Sequence, residues 1–432
     1  MAQPGSRTIY VLVWIVKGVI MKVLFECCCG LDVHAKTVVA CLINQGQKET
    51  RTFSTMTDDL LSLCDWLTEA GCTHVAIEST GVYWKPVFNI LETMIEVILV
   101  NARHVKAVPG RKTDVRDCEW LADLLRHGLL KASFIPPAHI RALRELMRYR
   151  QSLIREQSAI ANRIQKLVES GNIKLSQVAT DALGVSGRAM LRALAQGQTD
   201  TAAIARLARG KLREKTLQLQ RALEGRLTAT QRWVLTELLT HYDGLEAAIA
   251  RVNAQIQQEI ETSPDSFLPE ALALLQTIPG VGAQVAETII SEIGVDMSRF
   301  PSAGHLSSWA GLCPGNHESA GKRKSGKTNE GSPYLRTALV QAAWAASHSK
   351  GTYLAALYRR FVKRMGRAKA LVAVAHSILV IVYHMLARRL NYQDLGEDYF
   401  DRHQTEKQRT RLVHKLEALG FKVTIEETQV AV

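Results

Sequence analysis

Cysteine is scarce in this chain and poorly placed for bridging. Eight Cys occur in 432 residues, three of them consecutive at Cys27, Cys28 and Cys29. Neighbouring cysteines lack the separation that a structural disulfide needs, and no C-x-x-C pair offers a zinc ligand set. A disulfide-stapled secreted scaffold is thereby excluded, and reduced thiols in a cytoplasmic protein are expected. Long hydrophobic runs are missing as well. The membrane-like stretch from Ile9 to Val16 is interrupted by Lys17 and then Lys22, far short of the roughly 20 apolar residues that span a bilayer. No small-residue cleavage site of a secretory signal follows it, so no membrane partner is expected. Acidic residues are the minority charge, 41 Asp plus Glu against 54 Lys plus Arg, a net charge of +13. With 47% hydrophobic and 22% charged residues, the chain is not mainly disordered. What remains is a folded basic protein whose charge suits a polyanion, nucleic acid first. A basic protein with no such partner is the plainer alternative.

At a soft prior of ~150 residues per unit, the length makes two to four folded units. Folded sequence is expected to begin near Met21, leaving residues 1–20 as an N-terminal extension. Lys22 to Leu31 leading into Asp32, Thr37 to Ile43 and Glu49 to Ser54 read as three short strands. A helical pattern at Leu60, Leu61, Leu63, Cys64 and Leu67 follows, then a strand from Thr73 ending at Glu78. A helix over Val87 to Met94, a strand over Glu96 to Val100 and a helix over Thr113 to Leu129 complete residues 21–135. Three strands in a meander followed by βαβα is the order of a ribonuclease-H-like α/β domain.

Pro136-Pro137 breaks the chain. Leu143, Leu146, Leu153, Ile160, Ile164 and Leu167 then lie on a 3-4 alternation, with Arg150 and Gln157 in two seam positions. The alternation returns at Leu235, Leu238, Tyr242, Leu245, Ile249, Val252 and Ile256. Residues 136–265 are accordingly expected to form a long helical, coiled-coil arm, packed within one chain or across a dimer. Residues 266–390 read as a mainly α basic domain with a Gly-, Ser- and Lys-rich loop, and 391–432 as a peripheral tail.

Four carboxylates fall at suggestive places: Asp32 at the end of the first strand, Glu78 at the end of a later one, and Asp114 and Asp117 at positions i and i+3 of a helix start. Acids from such places can converge beside the central strands of a ribonuclease-H-like sheet. Crowded carboxylates repel unless a divalent cation sits among them, and oxygen-only ligation suits Mg²⁺ or Mn²⁺. Two such ions can assist phosphodiester cleavage. Each acid also has a plain reading: Asp114 as a dipole-favoured helix N-terminal residue, Asp117 and Asp123 as solvated helix charges.

Leu274 to Ala286 has the pattern of a helix-hairpin-helix. Gly280 and Gly282 allow a tight turn, and the next helix offers backbone N–H groups to a phosphate; an ordinary αα-turn is the alternative. In Cys313 to Lys327, the cations Lys322, Arg323, Lys324 and Lys327 make a flexible anion-gripping loop. Ser319 and Ser325 both lie in it, and residue chemistry alone ranks neither as a nucleophile above the other. Arg359, Arg360, Lys363, Arg364, Arg367 and Lys369 form a second basic stretch, suited to nucleic acid or to one solvated helix face.

The motifs Gly30-Leu31-Asp32-Val33-His34, Ile77-Glu78-Ser79-Thr80-Gly81, Lys112-Thr113-Asp114-Val115-Arg116-Asp117, Ile278-Pro279-Gly280-Val281-Gly282 and Trp309-Ala310-Gly311-Leu312 together resemble the DEDD transposases of bacterial insertion sequences. More narrowly, the chain is similar to the one-ten and eleven-eleven groups of bridge-RNA-guided recombinases, over about residues 24–390. The resemblance implies a RuvC-like domain whose metal acids are Asp32, Glu78, Asp114 and Asp117. It implies that Ser319, in His317-Glu318-Ser319, is the nucleophile of a serine transposase domain. It also implies donor and target DNA, a non-coding bridge RNA and a homo-oligomer, dimer to tetramer, as partners. The rivals are a hydrolytic junction nuclease that needs no Ser319 and a non-catalytic nucleic-acid-binding protein indifferent to the acids.

Overall fold

The computed structural model describes residues 15–16, 19–20, 22–79, 81–101, 117–315, 317–319, 322–325 and 327–424. The chain divides into two compact units, 1–135 and 136–432.

The first unit is α/β. Its strands are β1 (Ile15–Val16), β2 (Val19–Ile20), β3 (Cys27–Val33), β4 (Thr37–Asn44), β5 (Gln47–Ser54), β6 (His74–Glu78) and β7 (Glu96–Val100). Strands β1 and β2 pair with each other inside the stretch read as an extension. The others form one mixed sheet in the order β5-β4-β3-β6-β7, an antiparallel meander continued by two parallel strands. Helices α1 (Thr57–Glu69) and α2 (Trp84–Leu91) cover one face and α3 (Asp117–Arg126) the other. With both faces covered, the central strands read as nearly unbroken apolar runs. The alternation within β3 still sorts them. Cys29, Leu31 and Val33 join the core under α1 and α2, whereas Cys28 joins the core under α3. Gly30 and Asp32 share the α3 face with Cys28, because side chains two apart on a strand point the same way.

The second unit is almost wholly helical. Helices α4 (Ala138–Ser170) and α9 (Ala229–Glu261), each 33 residues, lie side by side. Contacts pair Arg150 with Asn253, Glu156 with His241 and Ser170 with Gln231, so the two run antiparallel within one chain. The buried stripe of α4 is Ile140, Leu143, Met147, Arg150, Leu153, Ile160, Ile164 and Val168. Leu146 and Leu167, expected in the seam, are only half-buried. At 3.6 residues per turn a straight helix drifts away from a 3.5 repeat, and Met147 and Val168 take those places. Between the long helices lie α5 (Leu175–Val178), α6 (Val185–Ala195), α7 (Thr201–Ala205), a 3₁₀ turn (Gly210–Lys215) and α8 (Thr216–Ala222).

Beyond α9 come α10 (Leu268–Gln276), α11 (Ala283–Ile293), α12 (Ala303–Trp309), the hairpin β8 (His317–Ser319) and β9 (Lys322–Ser325), α13 (Pro333–Ser347), α14 (Tyr353–Met365), α15 (Arg367–Arg388) and α16 (Tyr399–Ala418). Helix α15 is long and apolar enough to cross a membrane. Its apolar residues have another use: Ala370, Val374, Ile378, Leu379 and Val382 are fully buried, and α12, α13 and α14 pack around it. It is the central helix of this unit.

Candidate active site and nucleic-acid surfaces

The acids of the first unit are positioned by strand register and one glycine. The β3–β6 ladder ends with Leu31 opposite Ile77, so Asp32 and Glu78 come next on adjacent parallel strands. Both continue the α3-facing alternation. An added Cβ on Gly30 would sit 2.2 Å from the Cys118 carbonyl oxygen and 2.5 Å from the Ala122 nitrogen. Gly30 thus lets α3 rest directly on β3, two residues before Asp32. Asp117 is the first residue of α3 in the described chain, and its neighbour Cys118 feels the negative charge of Asp32, which helps to raise that thiol's pKa to about 11 after burial has done most of it. Asp32, Glu78 and Asp117 are each half-buried. Register and helix placement therefore bring all three to one face at the carboxyl ends of β3 and β6. His34 Nε2 lies 3.2 Å from Asp32 Oδ2, a partner that the sequence reading missed although it stands in the same motif. Asp123, read as a solvated charge, pairs with Lys48 at 2.5 Å. Asp114 lies outside the described residues. Among the described residues no three His, Cys, Asp or Glu side chains close into a metal-holding group; Asp32, Glu78 and Asp117 offer oxygen donors only, the chemistry that suits a hard divalent cation.

In the second unit the basic loop is a β-hairpin. Ser319 pairs in register with Lys322, Glu318 with Arg323 and His317 with Ser325, with an irregularity between His317 and Glu318. The pairing continues through a Pro314–Thr328 bridge and a Gly315 N–H bond to the Lys327 carbonyl at 2.8 Å. Antiparallel pairing joins Lys322–Ser325 to His317–Ser319, so the described part of the loop expected from composition is a two-stranded ribbon. Ser319 is beside its turn and Ser325 nearer its base; Ala320 and Gly321 lie outside the described residues. The base is clamped by two glycines. A Cβ on Gly311 would meet the Asn329 oxygen at 2.7 Å, and one on Gly331 the Ala310 carbonyl carbon at 2.3 Å.

Just after the hairpin, Ser332 accepts from Leu335 N–H to cap α13 and donates to Glu292 Oε2 at 3.0 Å. Glu292, on α11, is 1% exposed. Arg148 grips it with Nε at 2.9 Å from Oε1 and Nη2 at 3.0 Å from Oε2. Arg144 donates to the Ser291 and Glu292 carbonyls at 3.0 and 2.6 Å, and burial lowers its pKa to about 10. Two residues on from Arg148, the seam residue Arg150 is itself buried, pairing with Glu287 at 2.9 Å. These ion pairs join α4 to α11 and to the hairpin's base. Apolar periodicity signals none of them.

Around the predicted helix-hairpin-helix, α10 and α11 flank Ile278 to Gly282. Gly280, at φ +88°, is held against α13: an added Cβ would lie 2.4 Å from the Ala342 oxygen and 2.6 Å from the Ala346 nitrogen. Its glycine is needed for packing. Gly282 is different. It is the uncapped, exposed N-cap of α11 with open space around it, so the first backbone N–H groups of that helix face solvent. Arg359, Arg360, Lys363, Arg364, Arg367 and Lys369 are all exposed, and so is Lys327. Two of them already have partners in the stretch read as peripheral: Arg359 pairs with Glu397 at 3.3 Å, and the Arg360 guanidinium lies 5.0 Å over the Phe400 ring. That stretch is tied down where Asp394 accepts from Tyr353 N–H at 2.9 Å and Tyr392 N–H donates to Thr277 at 3.1 Å.

Two patterns of known proteins match this chain. A DEDD transposase pattern covers residues 29–173, and that of the Transposase IS116/IS110/IS902 family covers 272–359; together they span more than half of the chain. The chain belongs to this transposase family. It is a DNA transposase or recombinase. A pilin gene-inverting protein of Moraxella bovis is 25% identical over 83% of this chain and 94% of its own length. A putative transposase of Sinorhizobium fredii is 26% identical over 68% of this chain and 63% of its own. An insertion element IS116 protein of Streptomyces clavuligerus is 24% identical over 68% and 79%. In this transposase the first pattern spans Asp32, Glu78, Asp114 and Asp117, and the second contains Ser319 and the hairpin.

Proposed function

We propose that this transposase cuts and rejoins DNA through Ser319, with a RuvC-like first unit holding the metal acids. The observation that carries this reading is the placement of Asp32, Glu78 and Asp117 on one face of the sheet, in a chain whose other unit has a serine next to the turn of a basic hairpin. Asp32, Glu78, Asp114 and Asp117 would hold Mg²⁺, or Mn²⁺. Bound there, a divalent cation supplies charge neutralisation at the phosphate.

In the step itself, Ser319 Oγ loses its proton and forms a bond to phosphorus, while the bond from phosphorus to one sugar oxygen breaks and that oxygen takes a proton. Lys322, Arg323, Lys324 and Lys327 stabilise the charge on the phosphoryl oxygens. Because the phosphoserine keeps the energy of the broken bond, a sugar hydroxyl of another strand can reverse the step and free Ser319. Conservative rejoining of this kind suits the relative named for gene inversion. Gly282, Arg359, Arg360, Lys363 and Arg364 hold the nucleic-acid backbone, and a helix-hairpin-helix built on α10 and α11 presents Gly282. The antiparallel pair α4 and α9 forms a coiled-coil arm. A non-coding bridge RNA selects donor and target, the working form is a homo-oligomer of two to four chains, and the protein acts in the cytoplasm.

The test uses labelled donor DNA with the element's own RNA and Mg²⁺, followed by denaturation. Wild type and Ser325→Ala should give a shifted protein–DNA band, and Ser319→Ala should not. An adduct that persists in Ser319→Ala and vanishes in Ser325→Ala moves the role to Ser325. Cleavage by wild type without any adduct favours water as the nucleophile.

A further inference from the structure

The distal end of the helical pair carries a concentration of charge that the reading above does not use. Residues 206–226 contain seven Lys or Arg and two Glu, so 21 residues hold +5 of the chain's +13. The cations Arg206, Arg209, Lys211, Arg213, Lys215 and Arg221 are all exposed. Among the described residues none of them forms an ion pair with an acid. Where their side chains bond, they bond to carbonyls: Arg206 Nε to Ala202, Arg213 Nε to Ala208 and Lys215 Nζ to Val178. The contrast lies a short way back along the same arm. There Arg188 and Arg192 of α6 are neutralised by Asp243 and Glu246 of α9.

The segment is compact, so these charges share one region. The 3₁₀ turn runs straight into α8, α8 packs on α7 and on α5, and Lys174 N–H bonds the Ala222 carbonyl at 2.8 Å. Arg209 N–H is held by Ser186 Oγ at 2.9 Å. The buried side is apolar, with Ile204, Ala208, Leu219 and Leu223 at 1% exposure or less, and the charged side is left to solvent.

We propose that this tip is a second DNA-binding surface, which grips the phosphates of duplex DNA flanking the reaction site. Charge says that the partner is a polyanion. Residues 206–226 contain no Phe, Trp or Tyr on which unpaired bases could stack, which favours a sequence-blind grip on a double-stranded backbone. DNA is the duplex that a transposase must hold. The tip is also remote from the hairpin's anchor. Arg148, which anchors the base of the hairpin through Glu292, and Ser170 are 22 residues apart on α4, about 33 Å at 1.5 Å per residue. That is on the order of ten base pairs of duplex at 3.4 Å each.

The experiment compares wild type with a variant carrying Arg206→Gln, Arg209→Gln, Lys211→Gln and Lys215→Gln. All four positions are exposed, so folding should survive, and an unchanged thermal unfolding midpoint checks that. Binding is measured against salt on a reaction-site duplex with 30-base-pair flanks and on one trimmed to a few flanking pairs. The proposal expects the variant's log–log salt slope on the long duplex to be shallower by about 3 to 4. It expects no difference between the proteins on the trimmed duplex. It also expects the Ser319-dependent adduct to survive on the trimmed duplex, which separates this surface from the serine reading. Equal slopes on the long duplex would overturn the proposal. So would a loss confined to the element's structured RNA, which would give the tip to RNA, or an equal loss on the trimmed duplex, which would place the cations at the reaction site.

Discussion

Gly30 and Glu292 show how single buried residues set geometry through their neighbours. A methyl group at Gly30 has nowhere to go except into the backbone of α3. Gly30→Ala should therefore lift the helix and cost about 1–3 kcal/mol, measured as a lower denaturant midpoint. By moving Asp117 away from Asp32 it should also reduce Mg²⁺-dependent cleavage more than duplex binding. Unchanged stability would show that α3 can shift freely. Glu292 is the opposite case, a charge that the interior keeps because three neighbours satisfy it. Glu292→Gln leaves Arg148 and Arg144 facing a neutral group, and the loss should be about 3 kcal/mol. That is the lower end for breaking a buried pair, because the Arg148 side chain is 38% exposed and partly screened. Chemical denaturation checks it. Ser332→Ala, which loses only a cap and one bond, should cost about 1 kcal/mol.

Among the elements, the segment leading into α16 and that helix's first turn alter what the basic face of α14 can do. Glu397 holds Arg359, and Phe400 covers Arg360, so a nucleic acid docking on that face would find two of its cations engaged. Glu397→Gln should free Arg359 without removing any packing. Duplex affinity at low salt should then rise severalfold, and the log–log salt slope should steepen by about 0.9. Titration by fluorescence anisotropy at several salt concentrations reads both. If neither changes while Arg359→Ala weakens binding, the pair with Glu397 does not compete with DNA.

On the scale of the whole molecule, the thiols that cannot form bridges are instead core residues. Burial pushes Cys28 and Cys72 up to about 12 and Cys118 up to about 11, from an ordinary 9.0. In the unfolded chain these groups ionise near pH 9 while the folded chain keeps their protons. Their stabilising contribution is thus complete below pH 9 and is lost as pH climbs toward 11–12. The denaturant midpoint should begin to fall at about pH 8.5, and Arg144, lowered to about 10 and of opposite sign, offsets part of that fall as it titrates around pH 10. Alkylation at pH 8 should be slow for Cys28, Cys29 and Cys72 in the native protein and fast after unfolding, as mass spectrometry would record.

Much of this protein is determined by local sequence. The strands at 37–44, 47–54, 74–78 and 96–100 and the long helices of the arm follow from residue periodicity, because burying one face of a strand or helix is a local demand. The motif order around Asp32, Glu78 and Ser319 is legible for the same reason, since each motif is a short contiguous run. Tertiary structure alone decided what these runs meet. That Gly30 exists for α3, that Gly280 serves packing while Gly282 stays open, and that Arg150 in an apolar seam has a partner in Glu287 depend on residues far apart in sequence. So does the capture of Arg359 by Glu397. Close approach and charge pairing are set by distances between distant parts of the chain, and a one-dimensional pattern holds no record of those distances.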